Sequence, residues 1–334
     1  MPDYQKDSPA VVDMKHALGL VADKAITDAT NAILFGETSV DFVQLFDRTL
    51  LFVFEDDWLH AATPQDNRHL TRQEALKRIS EGKAVDFGKY AGNGNAGDEK
   101  LLKRFCEVYD TFNLVDIGAN YGRESVRYRA LLTSEFFQDV SSALKSHVLV
   151  DPAHAGLLAP ANLILHRFGD GIIVRGAMGD INGVERFYFK PNVTTGGTTL
   201  PNAQQLKEGR YKHVPVRIIM WDSLAENLNI EGPTFFKIDV QGAEPRVFDG
   251  ARQYMQKYPC AGIFEFFPKA AAALRDQTEW LKQMNAQFDL WDVHMDRKRL
   301  NKIDDNFDLF IDEVNARDNP WTDLLFAPKG FYLI

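Results

Sequence analysis

The sequence contains little cysteine and no long apolar run, and both absences exclude classes of protein. Its 334 residues include two cysteines, Cys106 and Cys260, which lie far apart without a CxxC motif or a His-rich neighbourhood. A disulfide framework and a zinc site are therefore not expected. The longest apolar runs have five residues, such as 50–54, whereas a membrane-spanning helix needs about 20. The sequence thus predicts a protein without a membrane span.

Basic charge is also scarce relative to acidic charge. Lys and Arg number 38 against 47 Asp and Glu, which gives a formal net charge of −9. Proteins that bind nucleic acid present clustered positive charge to the phosphate backbone, so nucleic acid is not an expected partner. The start, Met1-Pro2-Asp3-Tyr4, lacks the basic and apolar segments of a signal peptide, and we expect a cytoplasmic location.

The remaining composition is that of an ordinary globular protein, with 45% hydrophobic and 25% charged residues. The length allows two domains of ordinary size. We predict a mainly helical accessory region over residues 1–97 and a larger domain over residues 98–334. Residues 88–97 contain four glycines, which indicates a flexible linker or, alternatively, a mobile loop over a site.

From residue 113 onward, short apolar segments alternate with helical patterns. The predicted strands are 113–117, 147–150, 172–177, 235–240, 262–266, 288–293 and 324–327, and the clearest helices are 243–258 and 270–286. This alternation predicts an α/β, Rossmann-like fold with a mostly parallel, doubly wound sheet. Ligands of such sheets bind beyond the carboxyl ends of the strands, so functional residues are expected directly after each strand.

The first predicted strand runs into residues 115–122, Val-Asp-Ile-Gly-Ala-Asn-Tyr-Gly. Gly118 and Gly122 would let the backbone approach a ligand, and the following helix would offer unpaired N–H groups. The GxGxxG pattern of dinucleotide-binding proteins is absent. Asp116 would repel a pyrophosphate but attract an ammonium group, which favours S-adenosylmethionine over NAD. A plain strand–turn–helix junction is the alternative interpretation.

Acidic residues also follow the second and third predicted strands. Asp151 ends the second strand, where a carboxylate can accept hydrogen bonds from both hydroxyls of a ribose. A solvated loop aspartate is the alternative. Asp180 follows the third strand, where it could accept from an adenine amino group, although a tight turn explains the same residues.

The fourth and fifth predicted strands carry charged residues where apolar ones are expected. Lys237 and Asp239 alternate with apolar residues in the fourth strand. Because an unpaired buried charge costs several kcal/mol, they should pair with each other or face a ligand. Glu265 ends the fifth strand, and acidic residues at two adjacent strand ends favour a functional site. Glu244 begins the helix after the fourth strand, where helix capping alone would explain it.

Taken in order, these motifs resemble the FkbM family of methyltransferases. The resemblance rests on residues 115–122, on Lys-Ile-Asp-Val-Gln-Gly-Ala-Glu at 237–244 and on Phe-Glu at 264–265. The loop at 196–199 and Trp-Asp-Ser-Leu at 221–224 fall in the family's order between them. The resemblance implies a class I, Rossmann-like methyltransferase that binds S-adenosylmethionine. It also implies methyl transfer to a hydroxyl oxygen of a small-molecule or glycan acceptor, such as a sugar or another secondary metabolite.

The resemblance also implies individual roles for the residues that match the family's motifs. Asp116, Gly118, Asn120 and Gly122 would form the turn on the methionine side, Asp151 would bind the ribose, Asp180 the adenine edge, and Asp239 would face the methionine or the reacting centre. Two residues depart from the family's pattern. Gln241 stands where the family often has Glu, and Asp151 stands where the family usually has Glu.

A hydroxyl group is a weak nucleophile, so a general base within hydrogen-bonding reach would assist its attack. Asp239, Glu265, Glu244 and His213 are the candidates, and by location we expect Asp239 or Glu265 to be catalytic. No cluster of His residues indicates a metal. The alternative function is a non-catalytic nucleotide-binding or scaffold protein that kept the fold, which Gln241 and the unfamiliar N-terminal region would favour.

Overall fold

The computed structural model describes residues 96–120, 122–133, 140–152, 159, 171–189, 197–201, 211–272, 274–293 and 300–331, together with four short strands nearer the N-terminus. The chain divides into two compact units. The first unit comprises Met1–Gly94, Ala119–Ser141 and His147–Arg175. The second unit comprises Asn95–Gly118, Ser142–Ser146 and Gly176–Ile334.

The helices and strands follow one another along the chain in an alternating order. The first are β1 (Phe42–Val43), β2 (Phe52–Glu55), β3 (Trp58–His60), β4 (His69–Thr71), α1 (Ala96–Val108), β5 (Phe112–Ile117), α2 (Arg123–Leu132), β6 (Leu144–Val150), β7 (Ile172–Val174), β8 (Ala177–Met178), β9 (Gly183–Phe189) and β10 (Lys212–Ile219). The rest are α3 (Trp221–Leu228), β11 (Thr234–Ile238), α4 (Glu244–Gly250), α5 (Arg252–Lys257), β12 (Cys260–Phe266), α6 (Pro268–Ala271), α7 (Gln277–Gln287), β13 (Phe288–Val293), β14 (Leu300–Lys302), α8 (Phe307–Asn315) and β15 (Thr322–Pro328).

In the first unit, the described N-terminal residues form an antiparallel sheet with the order β1-β2-β3-β4. We expected mainly helix in residues 1–97, and the part of this region before residue 96 that the structure describes consists of these strands. The rest of that part lies outside the described residues, including most of the expected linker at 88–97. The helical character of the region and its boundary at residue 97 therefore stay predictions.

The first unit also contains two parallel strands and a helix that begins at a glycine. β6 and β7 pair in register, with Val148 opposite Ile172. α2 begins after Gly122, whose backbone is left-handed with φ 82°. The helix buries an apolar face that includes Val126 and Leu132. The sequence places this helix correctly because the glycine supplies the conformation that starts it.

The second unit contains six neighbouring strands of a large sheet, in the order β14-β13-β15-β12-β11-β5. β11 runs parallel to both β5 and β12. β15 is antiparallel to β12 and to β13, so β13 runs in the same direction as β12. Most of the strands thus share one direction. The predicted α/β, Rossmann-like fold with a mostly parallel sheet is confirmed.

A smaller sheet in the second unit, with the order β8-β10-β9, was not expected from the sequence. The predicted strand 172–177 ends at Val174, and Ala177 instead begins β8, which pairs with the end of β10. β9 and β10 form an antiparallel pair in which Val214 lies opposite Phe187. The alternating Val and Ile residues of β10 carry the strand signal, but Pro215 interrupts it, because proline is rare inside strands.

Aromatic side chains pack between helices and strands of the second unit. The Phe248 ring lies 5.2 Å from the rings of both Phe264 and Phe326, measured between centroids. Trp280 lies 5.7 Å from Phe264. Burial of one such side chain contributes about 1.5–3 kcal/mol, so this cluster holds α4 and α7 against β12 and β15.

Several predicted helices differ from the observed ones at their ends. The single helix expected over 243–258 is two helices, α4 and α5, and the one expected over 270–286 is α6 followed by α7. Asp276 separates the latter pair, because its carboxylate caps α7 by accepting the N–H of Glu279 at 2.8 Å. α1 begins at Ala96, before the predicted domain boundary. No helix in the described ranges is both long and apolar enough to cross a membrane.

Candidate active site

The turn after β5 lies directly against the backbone that follows β11. Asp116 is fully buried within β5, and Gly118 follows with a left-handed φ of 78°. A Cβ atom at Gly118 would lie 1.9 Å from the carbonyl oxygen of Asp239, so any other residue would clash there. The N–H of Asp239 donates to the carbonyl oxygen of Ile117 at 2.9 Å. Glycine is thus required by both the conformation and the close contact.

Lys237 is the cation at the centre of this region. Parallel pairing of β5 with β11 sets Lys237 opposite Asp116, and its Nζ lies 3.3 Å from Asp116 Oδ1. Nζ donates a hydrogen bond to the carbonyl oxygen of Gly118 at 2.8 Å and lies 3.6 Å from Asp239 Oδ2. The pairing expected for Lys237 and Asp239 is present, and it extends to Asp116. One buried cation therefore faces two carboxylates.

The carboxylates of Asp239 and Glu265 are bridged by the side chain of Gln241. Gln241 Nε2 donates to Asp239 Oδ1 at 2.7 Å and to Glu265 Oε2 at 2.9 Å. β11 and β12 are neighbouring parallel strands, so their carboxyl ends meet at the same edge of the sheet. The adjacency that the sequence predicts for Asp239 and Glu265 is therefore observed. Sequence analysis recorded Gln241 only as a departure from the family's pattern and did not predict the bridge.

The chain turns sharply at Gln241 and Gly242, which both have positive φ, 57° and 99°. The buried Glu244 carboxylate stabilises this turn, because its Oε1 accepts the N–H groups of Val240 at 3.0 Å and Gly242 at 3.3 Å. Burial raises the pKa of Glu244 to about 7, the nearby Asp239 charge adds to the increase, and the N–H donors oppose it. Glu244 thus fixes the turn that carries Gln241.

Glu265 has an environment that favours its protonated form. Burial is the largest cause of a pKa well above the usual value of a glutamate, and the charges of Asp239, Glu244 and Asp323 add to it. Lys237 acts in the opposite direction. Asp239 is 40% exposed. Two carboxyl groups at neighbouring strand ends therefore differ in their affinity for a proton, as expected of an acid–base site.

Part of the Gly-Gly-Thr-Thr loop contacts the Gln241 turn. Thr198 is buried, exchanges backbone hydrogen bonds with Tyr188, and donates from Oγ1 to the carbonyl oxygen of Gln241 at 3.4 Å. A Cβ at Gly197 would lie 2.2 Å from the ring of Phe187. Residue 196 lies outside the described residues.

In the first unit, Asn120 and Asp151 are in direct contact. The N–H of Asn120, a residue with φ 50°, donates to Asp151 Oδ2 at 2.8 Å. The N–H of Ala119 donates to the carbonyl oxygen of Val150 at 3.1 Å. A Cβ at Gly122 would lie 2.8 Å from Cβ of Ala159. Asp151 thus holds the backbone of the loop whose residues the sequence assigns to the cofactor, while Tyr121 of this loop lies outside the described residues.

Asp180 belongs to a separate group of charged side chains in the second unit. Arg246 Nε donates to Asp180 Oδ1 at 2.8 Å, and the two terminal nitrogens of Arg246 bind the Glu185 carboxylate at 2.8 and 2.7 Å. The hydrogen bonds to Glu185 are the largest cause of a raised pKa for Arg246. Asp180 is therefore neutralised by an arginine that the sequence analysis did not assign to it.

The predicted site residues fall into three groups in the described structure. Asp116, Gly118, Asp239 and Glu265 gather around Lys237 and Gln241, Asn120 pairs with Asp151, and Asp180 pairs with Arg246. His213 lies exposed on β10 beside Tyr188. Within the described ranges, no group of three or more His, Cys, Asp or Glu side chains is arranged to hold a metal ion.

The group in the second unit has the charge and proton affinity for two tasks. Asp116, Asp239 and Glu265 outnumber the single cation Lys237 among the contacts described above, which suits a positively charged ligand. Glu265, with its raised pKa, suits the acceptance of a proton near neutral pH.

Comparison with known proteins identifies a family. A family model described as the methyltransferase FkbM domain matches residues 116–288. No curated protein matches the chain by sequence. The matched span begins at Asp116 and includes both Asp239 and Glu265.

The chain is also similar to several solved methyltransferase structures. One is the methyltransferase FkbM from Methylobacillus flagellatus KT, with 15% identity and a TM-score of 0.39 over 65% of this chain and 44% of that chain. The chain thus covers less than half of that structure's length. A ribosomal protein L11 methylase from Lactobacillus delbrueckii subsp. bulgaricus has 12% identity and a TM-score of 0.31, over 69% and 77% of the two chains. A precorrin-6y C5,15-methyltransferase from Geobacter metallireducens GS-15 has 8% identity and a TM-score of 0.31, over 68% and 87%.

Proposed function

Because the chain belongs to the FkbM methyltransferase family, we propose that it is an S-adenosylmethionine-dependent O-methyltransferase whose acceptor is a hydroxyl group of a sugar, a glycan or a secondary metabolite. The family supports methyltransferase activity in general. The observation that carries the finer proposal is the pair of carboxyl groups at neighbouring strand ends, Asp239 and Glu265, of which Glu265 has a strongly raised pKa.

The residues present fit a cationic cofactor. S-adenosylmethionine, when bound, supplies an activated methyl group on a positively charged sulfur. Asp116 and Asp239 lie at the ends of adjacent strands around a single lysine, and Gly118 brings the backbone of the two strand ends together. Such a surplus of carboxylates attracts an ammonium or sulfonium group.

Other residues of the proposed cofactor site are assigned by their position in the motifs. Gly118, Asn120 and Gly122 would bind the methionine part through the backbone of their loop. Asp151 would accept the ribose hydroxyls, and its Oδ2 already accepts the N–H of Asn120, so the loop and the ribose would share one carboxylate. Asp180 would bind the adenine edge while Arg246 holds its Oδ1.

We assign the role of general base to Glu265 and an electrostatic role to Asp239. Both oxygens of Asp239 face donors, Gln241 Nε2 at Oδ1 and Lys237 Nζ at Oδ2. Such donors stabilise the ionised form and weaken a carboxylate as a base. Glu265 is buried and surrounded by negative charge, so it accepts a proton more readily. Glu265 would take the proton of the acceptor hydroxyl as that oxygen is methylated, a contribution of about 10²–10⁴ to the rate.

The first test is binding of S-adenosylmethionine, measured by isothermal titration calorimetry. We expect the wild-type chain to bind and Asp239→Asn to bind at least about tenfold more weakly, because one of the carboxylates that face the cation is lost. Asp304→Asn removes the same charge from an exposed position and should bind like the wild type. Absence of binding to the wild-type chain would contradict the proposal.

The second test is methyl transfer, followed with S-adenosylmethionine labelled in its methyl group across a panel of glycan and metabolite hydroxyls. Label should appear in an acceptor oxygen and decrease strongly in Glu265→Gln. Binding of the cofactor without transfer to any acceptor would instead favour the scaffold interpretation. The cytoplasmic location and the absence of a nucleic-acid partner stay predictions from the sequence.

A further inference from the structure

Gln241 is positioned by the fold to control the two carboxyl groups of the proposed site. Its side-chain nitrogen has two hydrogens, and they are directed to Asp239 Oδ1 and Glu265 Oε2. We propose that Gln241 is a positioning residue for proton transfer: its amide holds the Glu265 carboxyl against Asp239 and keeps its proton affinity within the range that a general base requires. This inference rests on the proposed function, since Glu265 is the base of that reaction.

The charges around Glu265 show why a donor is needed there. Asp239, Glu244 and Asp323 face it with negative charge, and Lys237 is the cation that acts against them. Two carboxylates that share one amide group both gain a hydrogen bond to their ionised form, which lowers their affinity for protons. Gln241 thereby offsets part of the repulsion between Asp239 and Glu265.

The amide can perform this role because its backbone is fixed. Gln241 has a left-handed φ of 57°, a conformation that costs a residue other than glycine free energy and persists only where neighbouring contacts impose it. Glu244 Oε1 holds the N–H groups on both sides of the turn. Thr198 contacts the carbonyl oxygen of Gln241 itself. These contacts direct the side chain towards the two carboxyl groups.

The identity of the residue matters as well as its place. The family often has Glu where this chain has Gln241, and a glutamate here would add a third carboxyl group to the pair. An ionised glutamate has no hydrogen to donate, so it would need a proton or a cation between itself and its neighbours. Glutamine makes both bonds while neutral.

The closing experiment measures the pKa of Glu265 directly, by carbon-13 NMR titration of chains labelled at the Glu carboxyl carbons. The resonance is assigned by its absence in Glu265→Gln. The test variants are Gln241→Ala, Gln241→Glu and Gln241→Asn. Asparagine tolerates left-handed backbone well, so Gln241→Asn preserves the turn while its shorter side chain loses reach. Gln283→Ala is the matched control, because Gln283 also donates to a carboxylate, Glu279, but on the exposed surface of α7.

We expect the pKa of Glu265 to rise in Gln241→Ala and Gln241→Asn, to rise further in Gln241→Glu, and to stay unchanged in Gln283→Ala. The acidic limb of the pH–rate profile should move to higher pH in the same order, whereas a purely structural role would lower the rate without moving the limb. An unchanged pKa in folded Gln241→Asn and Gln241→Ala overturns the inference, even if S-adenosylmethionine binds. A raised pKa in a chain that does not bind S-adenosylmethionine would overturn the proposed function and leave the effect of Gln241 on Glu265 established.

Discussion

At the scale of single residues, close backbone contacts account for why particular side chains occupy the site. Gly118 and Gly330 have nearly the same left-handed φ, 78° and 77°. A Cβ at Gly118 would meet the carbonyl oxygen of Asp239 at 1.9 Å, whereas a Cβ at Gly330 would have nothing within 4 Å. The two positions thus separate the cost of a left-handed backbone from the cost of a clash.

Gly118→Ala should lower the free energy of unfolding by about 2–5 kcal/mol, because strain and overpacking add. Gly330→Ala should cost only the strain, about 1–2 kcal/mol. Urea denaturation of both variants measures the difference. Equal losses would show that the turn after β5 can move away from Asp239.

A second residue-scale prediction concerns the buried Glu244. Its pKa in the folded chain, about 7, lies above the value of 4.5 expected when unfolded. The folded state therefore binds the proton more tightly, and the stability this provides is present below about pH 4.5 and lost as the pH rises through about 7. Glu244→Gln keeps an oxygen that can accept the N–H groups of the turn but cannot ionise.

The Glu244→Gln variant should therefore lose less stability than the wild type between about pH 5 and pH 8, by up to about 3 kcal/mol. Unfolding temperatures from scanning calorimetry across this range provide the measurement. Glu313→Gln, at an exposed position of α8, should follow the wild type. Parallel pH profiles of the wild type and Glu244→Gln would refute the assignment of a buried, proton-binding carboxyl.

At the scale of secondary-structure elements, a buried ion pair ties the end of α8 to the sheet. Arg317, just after α8, donates to both oxygens of Asp292 on β13, at 3.4 and 2.7 Å. Thr322 on β15 donates to the same carboxylate at 2.6 Å. Asp292 is almost fully buried, so its charge depends on these donors. By contrast, the Arg104–Glu107 pair on α1 is exposed.

Arg317→Ala should destabilise the chain by about 3–5 kcal/mol, because it leaves a buried carboxylate without its cation. Arg104→Ala should cost about 0–1 kcal/mol, as is usual for exposed pairs. Denaturant unfolding of the two variants provides the comparison. Similar small losses in both would mean that Asp292 is satisfied by Thr322 alone.

At the scale of the whole molecule, the sequence divides the chain into an accessory region and a methyltransferase domain. The family match covers residues 116–288, and α1 already begins at Ala96. The glycine-rich segment 88–97 should then be the most accessible site for a protease between the two regions.

Brief digestion with trypsin should therefore cut after Lys89 before it cuts after Lys103, which lies within α1. Mass spectrometry of the early products should detect a fragment that begins at Tyr90. An early cut after Lys103, with the bond after Lys89 intact, would contradict the predicted linker.

Short-range patterns in the sequence were enough to predict the fold class, the turn at Gly118 and the acidic residues at the strand ends. Hydrophobic period and glycine conformation act over a few residues, so they can be recognised without a structure. The strand predicted over 172–177 was wrong at its end, because the choice between β7 and β8 depends on which partner strand each residue meets.

Only the tertiary structure decided how the charged residues are paired. Lys237 reaches the carbonyl oxygen of Gly118, 119 residues away, and Gln241 bridges to Glu265, 24 residues away. Both contacts follow from the register of parallel strands that are separated in sequence by whole helices. By itself, then, the sequence determined which carboxylates stand at the strand ends. The pairing of strands decided which of them a lysine neutralises and which of them, as Glu265, burial and neighbouring charge leave able to bind a proton.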